Sequence, residues 1–360
     1  MKISSLPILD KYIAKQVILT ILVVAVALLG LDIFFNVVNE LKVVGRGQYT
    51  LKTLFIYLLL SSPTRIYVMF PWAALIGSLI SLGSLANHSE LVVMRASSLS
   101  VLRITWAVIK AALILTVFAV FLGEVLAPAS ERLAQQKRTF ALSGGQTIET
   151  AYGLWVRQGQ DFIHIQSVRA NGELYGITRY QFDETRKLSN VTFANKAIRQ
   201  GKSWRLEGIQ ATRFEPNKTV VVKQNEQLVS ELLDPRILET AAVKHPEWLS
   251  LKALFHTIKH YAKNELNAQN YELAFYKKIF QPLVIILMVV LGVPFVFGPL
   301  RTANTGYRVL VGIFVAFLFH TLNGMLAPLA LVYQVPPYIA VLLPIILFGS
   351  AGFWMLKKAG

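Results

Sequence analysis

The 360-residue chain contains no cysteine. Disulfide bonds, thiolate zinc sites and cysteine nucleophiles are therefore excluded. The chain also lacks the phosphate-loop pattern GxxxxGK followed by Ser or Thr, the serine-hydrolase pattern GxSxG and the metalloprotease pattern HExxH. Because a phosphate loop needs that glycine-rich turn, this chain does not bind ATP in that way. We predict no catalytic residue, no metal and no cofactor.

Charged residues are also scarce. They make up 16% of the chain, whereas hydrophobic residues make up 54%. The apolar residues form long blocks, and blocks of about 18 or more residues are typical of membrane spans. The predicted spans are 16–38, 54–86, 104–127, 276–297, 309–327 and 338–356. Pro63 and Pro71 predict a kink in the second span, and Pro128 is expected to end the third.

The first apolar block, 16–38, resembles a signal peptide only in its position. It is longer than the 7–15 residues of a signal-peptide core, and no small-residue cleavage pattern follows it. We therefore predict a retained span. The preceding residues 6–15 are amphipathic and are expected to lie at the inner membrane interface.

Residues 129–270 differ from the rest of the chain, because they contain short runs in which apolar and polar residues alternate. This pattern predicts a small all-β sandwich or barrel. The predicted strands are Gly153–Arg157, Phe162–Val168, Tyr175–Phe182, Val191–Ile198 and Thr219–Lys223. Phe162 and Ile165 are both expected to face inward. The predicted turns are Gly159–Gln160, Asn171–Gly172, Gln200–Gly201 and Pro216–Asn217. An amphipathic helix at about 246–266 would return the chain to the membrane.

The fold class predicted is thus a polytopic α-helical membrane protein with six transmembrane helices and an inserted all-β domain. Its parts are 1–128 with three spans, 129–270 with the β domain, and 271–360 with three spans. Six spans place both termini on one side of the membrane.

Basic residues indicate which side that is. The termini and the two loops on their side carry nine: Lys2, Lys11, Lys15, Arg95, Arg103, Arg301, Arg308, Lys357 and Lys358. The opposite short loops carry three: Lys42, Arg46 and Lys52. By the positive-inside rule the termini are cytoplasmic and the β domain is periplasmic. The formal charge of +16 suits anionic lipid. Nucleic acid is not expected, because no basic stripe with interleaved aromatics is present.

Ionisable residues inside spans are costly in lipid and deserve separate interpretation. Lys110 is expected to extend toward the cytoplasmic interface, and Glu124 to be solvated near the outer end of span 3. Asp32 and Arg65 lie deeper, so that a cavity, an ion pair or a purely structural role all remain open. His256 and His260 share a helix face, but a solvated face fits them better than a metal site. His320 is interpreted as a packed histidine.

Residues 87–100 form a short polar-ended segment between two spans. A coupling helix at about 87–98 would present an apolar surface to a cytoplasmic motor, whereas an ordinary interfacial loop helix would have no partner. The sequence alone leaves both open. The residues assigned to coupling are Glu90, Leu91, Val92, Met94 and Arg95.

Six motifs occur in the order and spacing of one known family. They are LDKYIAKQ (9–16), SELVVMRAS (89–97), GLWVRQGQDFIHI (153–165), KIFQPL (278–283), FGPLR (297–301) and LVYQVPP (331–337). The chain resembles the LptF/LptG lipopolysaccharide-export permeases from end to end, and the last two motifs resemble the LptG branch.

The resemblance implies a β-jellyroll and a permease that extracts lipopolysaccharide from the inner membrane and passes it to a periplasmic bridge. The implied partners are an LptF-like permease, an LptB-type ATPase dimer that supplies the energy, LptC, and LptA through the bridge. The chain departs from the family at Ser98 and Gln334, where glycine is common, and at Thr64, where relatives have a lysine beside the position of Arg65.

Lipopolysaccharide carries anionic phosphates above several acyl chains. A site for it needs an apolar cavity with a basic rim near the outer interface. The residues assigned to this rim are Lys42, Arg46, Arg65, Lys137 and Arg138. The competing interpretation is that Arg65 pairs with Asp32 and only stabilises the bundle.

Two other classes of function fit the sequence less well. A mechanotransmission subunit acting on periplasmic proteins usually has four spans, so six spans disfavour it. A secondary transporter would show inverted repeats with matching broken helices, and the kinked second span has no counterpart.

Overall fold

Within the residues that it describes, the computed structural model shows six helices that are long and apolar enough to cross a membrane, as predicted. It describes residues 8–143, 148–169, 172–183, 185, 187–201, 203–215, 218–230, 232, 245–297 and 303–359. The helices are α1 Ile8–Leu41, α2 Leu51–Asn87, α3 Glu90–Ala96, α4 Val101–Phe121, α5 Ala127–Leu142, α6 Leu251–Lys263, α7 Gln269–Phe297, α8 Thr305–Val332 and α9 Pro337–Ala359.

The chain forms two compact units. One comprises Met1–Val37, Ser61–Glu131 and Gln269–Gly360, and contains most of the apolar helices. The other comprises Val38–Leu60 and Arg132–Ala268, and contains the β-sheet. An antiparallel sheet inserted between helices confirms the predicted fold class.

The third span does not end at Pro128, contrary to the sequence prediction. A π-helical turn at Leu122–Leu126 joins α4 to α5, and the helix continues to Leu142. A proline inside a regular α-helix clashes with the carbonyl four residues earlier, which for Pro128 is the carbonyl of Glu124. The π-helical turn changes the backbone at that position, which explains how the helix accommodates Pro128.

Glycines allow the membrane helices to approach closely, as is common in membrane bundles. A Cβ at Gly77 would lie 2.6 Å from the Ile21 Cα, and a Cβ at Gly292 would lie 2.3 Å from the Ser78 Oγ. A larger side chain at either position would push α1 or α7 away from α2.

In the described part of the chain the sheet has six antiparallel strands in sequential order: β1 Ile148–Gln158, β2 Asp161–Val168, β3 Leu174–Phe182, β4 Leu188–Gln200, β5 Ser203–Glu215 and β6 Lys218–Val229. The predicted strands lie within five of these. β5 is not among the predicted strands. Its buried residues are Trp204, Leu206 and Ile209, so that the period of two breaks at Gly208, which has a φ of 65°. The described strands follow a meander, whereas two-sheet jelly rolls contain Greek-key connections.

The two faces of β2 correct one prediction. Phe162 and Ile165 were both expected to face inward. Ile163 and Ile165 are each 1% exposed, whereas Phe162 is 37% exposed. Side chains alternate between faces with a period of two, so residues three apart lie on opposite faces. The interior surface of β2 therefore begins at Ile163.

Some predictions fall outside the described residues. These are the predicted turn residues Asn171, Pro216 and Asn217, and most of the FGPLR motif. The helix predicted at about 246–266 is a short 3-10 turn at Pro246–Trp248 followed by α6.

Candidate functional site

An arginine and a glutamate form a bidentate pair in the second unit. Arg138 on α5 donates from Nε and Nη2 to both carboxylate oxygens of Glu40, at 3.0–3.2 Å. The Tyr49 hydroxyl donates to the same carboxylate at 2.9 Å, and the Arg138 guanidinium lies 5.4 Å from the centre of the Tyr57 ring. Burial, together with the hydrogen bond to Glu40, raises the pKa of Tyr49.

Three of the residues assigned to the rim are exposed and lie close in sequence to Glu40 or Arg138. Lys42 and Arg46 lie on the loop between α1 and α2, and Lys137 precedes Arg138 on α5; all three are solvent-exposed. The Gln48 amide donates to the Ala141 carbonyl at 2.7 Å. This bond ties the loop to the last turn of α5, so the loop and the helix end belong to one surface.

Arg65 lies in the helical unit and pairs with Asp32. Its Nη1 is 2.6 Å from the Asp32 Oδ2, and the two side chains are 18% and 23% exposed. The Arg65 Nε is buried and has no hydrogen-bond partner within the described residues. The guanidinium therefore keeps one donor that its carboxylate partner does not satisfy.

Glu124 was expected to be solvated, but it is paired with a lysine. Its Oε1 forms an ion pair with the Lys278 Nζ at 3.0 Å, and the same Nζ donates a hydrogen bond to the Gly123 carbonyl at 3.0 Å. The Lys278 side chain is 5% exposed. A buried ammonium needs a counter-ion. The π-helical turn supplies the Glu124 carboxylate as that counter-ion and the Gly123 carbonyl as a further acceptor. Lys278 lies in the quoted KIFQPL motif, but sequence reasoning gave it no role.

Lys110, which was expected to extend toward the cytoplasmic interface, is likewise paired. Its Nζ lies 2.5 Å from the Oδ2 of Asp10, which is 3% exposed and sits in the first turn of α1. Arg103 lies 3.7 Å from the other Asp10 oxygen. These contacts join α4 to the start of α1.

The predicted coupling segment contains a short helix, α3. Leu91 and Met94 are 3% and 8% exposed and pack into the core of the chain's own helices. Val92 and Val93 are 52% and 63% exposed. The spacing of i and i+3 places Leu91 and Met94 on one helix face. The surface that α3 leaves exposed therefore consists of Val92, Val93 and Arg95 rather than Leu91 and Met94.

Val93 was absent from the residues assigned to coupling, although it lies in the apolar run Leu91–Met94. Glu90 is half-buried and interacts with the Tyr12 hydroxyl on α1. The two histidines considered for a metal, His256 and His260, belong to no cluster of three or more metal-ligating side chains in the part of the chain that the structure describes.

Comparison with known proteins decides the family. A family model described as "Lipopolysaccharide export system permease LptF/LptG" matches residues 11–358. The chain belongs to the LptF/LptG family. The LptG permease protein of Escherichia coli K12 is 36% identical over 354 residues, which cover 98% of both chains. The LptG of Haemophilus influenzae is 33% identical over 352 residues, covering 97% of this chain and 98% of that one.

Membership in the LptF/LptG family confirms the resemblance and, with the six apolar helices, identifies a multi-pass protein of the inner membrane. Ser98 and Gln334, the two positions at which the resemblance led us to expect glycine, have φ values of 65° and 53°. This left-handed region favours glycine. The chain therefore adopts at both positions a backbone conformation that suits the expected glycine. Thr64 is buried and donates to the Ala127 carbonyl at 3.4 Å.

Proposed function

We propose that this chain is the LptG-type permease subunit of an ATP-driven lipopolysaccharide exporter. It extracts lipopolysaccharide from the inner membrane and passes it to a periplasmic bridge. The observation that supports this most directly is the end-to-end similarity to LptG permeases, at 36% identity over 98% of both chains. The proposed partners are an LptF-like permease, an LptB-type ATPase dimer, LptC and, through the bridge, LptA.

α1 and α8 have open apolar surfaces. In the most apolar 18-residue window of each helix only 17% of the residues are buried. Leu22, Val23 and Val26 on α1 are among the exposed side chains. Such surfaces suit contact with acyl chains or with a second permease.

The proposed phosphate rim has two kinds of cation. Lys42, Arg46 and Lys137 are exposed and are available to an incoming phosphate. Arg65 and Arg138 are held by Asp32 and Glu40, and each would exchange its carboxylate for phosphate oxygens when substrate arrives. An arginine suits this exchange, because its fork binds carboxylate and phosphate in the same bidentate geometry.

Charge reversal of the exposed cations tests the rim. In the purified complex, Lys42→Glu with Arg46→Glu and Lys137→Glu is expected to reduce the amount of co-purified lipopolysaccharide and its effect on ATPase turnover. Lys223→Glu, at an exposed lysine of β6, is the matched control. Unchanged lipopolysaccharide retention in the triple variant would refute this rim.

The proposed orientation places the termini in the cytoplasm and the sheet in the periplasm. The chain has no cysteine, so a single introduced thiol can be located without background. Lys187→Cys, at an exposed position between β3 and β4, is expected to react with a membrane-impermeant reagent from the periplasmic side. Reaction only from the cytoplasmic side would reverse the orientation.

Co-purification tests the class of function. A complex with a cytoplasmic ATPase whose turnover responds to lipopolysaccharide is expected. An isolated chain that transports a small solute down an ion gradient would instead favour a secondary transporter.

A further inference from the structure

The largest fully buried side chain in the described part of the chain carries a positive charge. Arg308, in the first turn of α8, has 0% exposure. Its Nη1 donates to the Gly83 carbonyl at 2.6 Å and to the Asn87 Oδ1 at 2.9 Å. Both acceptors lie at the C-terminal end of α2. That end of a helix carries partial negative charge, so a guanidinium is stabilised there.

The end of α2 is shaped around this guanidinium. A Cβ at Gly83 would lie 2.6 Å from both Cδ and Nη1 of Arg308. One turn along α8, a Cβ at Gly312 would lie 2.9 Å from the Leu79 Cδ1. Two glycines on facing helices therefore permit the close approach, one at the guanidinium and one beside it.

The clamped end of α2 leads directly into the coupling segment. Only two residues separate Asn87 from the start of α3 at Glu90. The His88 amide donates to the Ser84 carbonyl and the Ser89 amide to the Ala86 carbonyl, which continues the hydrogen bonding of α2 into the turn. Leu91 and Met94 then bury α3 on the same core. Little free chain lies between Arg308 and α3.

Simple packing does not explain a charge at this position. Burying a guanidinium costs desolvation that an apolar side chain of similar volume avoids, and such replacements of buried charges are often neutral or stabilising. The guanidinium adds directional hydrogen bonds, because it donates to one backbone carbonyl and one side-chain amide oxygen of α2 at once. A hydrogen-bonded clamp resists sliding and rotation of α8 against α2 more than an apolar contact does.

We infer that Arg308 is a positioning residue for energy coupling. It fixes the end of α2, and with it α3, to the first turn of α8. A displacement of α3 by a cytoplasmic motor would then move α8, whose apolar face is largely open, together with α2. This inference rests on the proposed function, because it requires a motor that docks at Val92 and Val93.

The first test uses the complex with the ATPase and the sister permease. Arg308→Met is expected to keep complex yield and ATPase turnover but to lower lipopolysaccharide export per ATP about tenfold, a size typical of altered coupling between sites. Arg308→Lys should give an intermediate loss, and it serves as the second variant should Arg308→Met fold poorly. Arg103→Met, at a half-exposed arginine of α4, is the matched control.

A purely structural role predicts a different pattern, in which yield, ATPase turnover and export fall together. That pattern, or unchanged export per ATP in Arg308→Met, would overturn the inference. Gly83→Ala provides an independent variant, because it displaces the guanidinium without changing any charge.

The second test uses the full chain without its partners. Spin labels at Ser97 and Tyr307, both exposed, should give a narrow distance distribution that broadens in Arg308→Met but not in Arg103→Met. An equally narrow distribution in Arg308→Met would overturn the clamp. A distribution that broadens as expected, in a chain that recruits no ATPase, would instead contradict the proposed function while the clamp itself stands.

Discussion

The Arg65 guanidinium of α2 lies 2.6 Å from the Asp32 carboxylate of α1, and both side chains are mostly buried. Removing one partner leaves the other charge unsatisfied. Asp32→Asn and Arg65→Gln are each expected to lower the free energy of unfolding by about 1–3 kcal/mol, between the values for exposed and for fully buried pairs. Unfolding of the purified chain in a mild detergent measures this.

The double variant provides the control for that prediction. Asp32→Asn combined with Arg65→Gln should cost less than the sum of the single losses, because residues in contact are not additive. Additive losses would show that the pair contributes nothing as a pair. If the pair also serves as a reversible phosphate site, Arg65→Gln should weaken lipopolysaccharide retention more than Asp32→Asn does.

The six spans could be predicted because each depends only on a local run of apolar residues. Asp32 could be named from the sequence as one possible partner of Arg65, and the two do pair. The partner of Glu124 could not be named, because Lys278 lies in a different helix, α7. Strand β5 was missed because its local pattern is interrupted. Its buried residues Trp204 and Leu206 follow a period of two, but the next buried residue is Ile209. Pairing with β4 and β6 identifies the strand.

The coupling segment shows which features the local sequence pattern predicts and which it does not. Its helical nature and its place between two spans were predicted, whereas its orientation was not. Periodicity indicates which residues share a face, but it does not indicate which face meets the chain's own core. In α3 the buried face consists of Leu91 and Met94, and the exposed face includes Val92 and Val93. Only the tertiary packing determines this orientation.

Val93 is expected to contact the ATPase without supporting the fold. Val93→Asp should leave the melting temperature of the isolated chain unchanged and abolish co-purification with the ATPase, because a charge in the centre of an apolar contact is costly. Met94→Asp should instead destabilise the chain itself. Ser97→Asp, at an exposed position after α3, is the control for added charge. Normal ATPase recovery with Val93→Asp would move the contact elsewhere.

Tyr49 makes the second unit sensitive to alkaline pH. Burial and the hydrogen bond to Glu40 raise the pKa of Tyr49 above its ordinary value near 10. A raised pKa contributes stability that is complete below the unfolded value and is lost as pH rises toward the folded value. Stability should therefore fall above about pH 10.

Tyr49→Phe is the variant that isolates this effect. Its unfolding free energy should depend less steeply on pH above 10 than that of the native chain, although its stability at neutral pH is lower through the lost hydrogen bond. Tyr307→Phe, at an exposed tyrosine, is the control. Identical alkaline slopes in the native chain and in Tyr49→Phe would show that Tyr49 titrates as an ordinary tyrosine.

Ser98 carries backbone strain that glycine would relieve. Its φ of 65° lies in the left-handed region, which costs a non-glycine residue about 1 kcal/mol. Ser98→Gly should therefore raise the unfolding free energy by up to ~1 kcal/mol, less the added chain entropy of glycine. The neighbouring Ser97 has a φ of −82°, so that Ser97→Gly should destabilise. Equal effects at both serines would show that the backbone conformation is not responsible.

The buried Lys278 and the π-helical turn are expected to depend on each other. Lys278 Nζ engages the Glu124 carboxylate and the Gly123 carbonyl, both at 3.0 Å, and its ammonium lies 5.8 Å from the centre of the Tyr67 ring. Removing only one charge leaves the other buried without its ion-pair partner. Lys278→Met and Glu124→Gln should each cost about 3 kcal/mol, the size found for broken buried pairs.

Replacing both charges should recover most of that loss, because an apolar or neutral pair needs no counter-ion. The double variant Lys278→Met with Glu124→Gln is therefore expected to unfold near the native temperature. Gly123→Ala is the companion variant, since its Cβ would lie 2.3 Å from the Tyr67 ring and force that ring away from Lys278. A double variant as unstable as the single ones would mean that the π-helical turn itself, rather than the ion pair, requires the lysine.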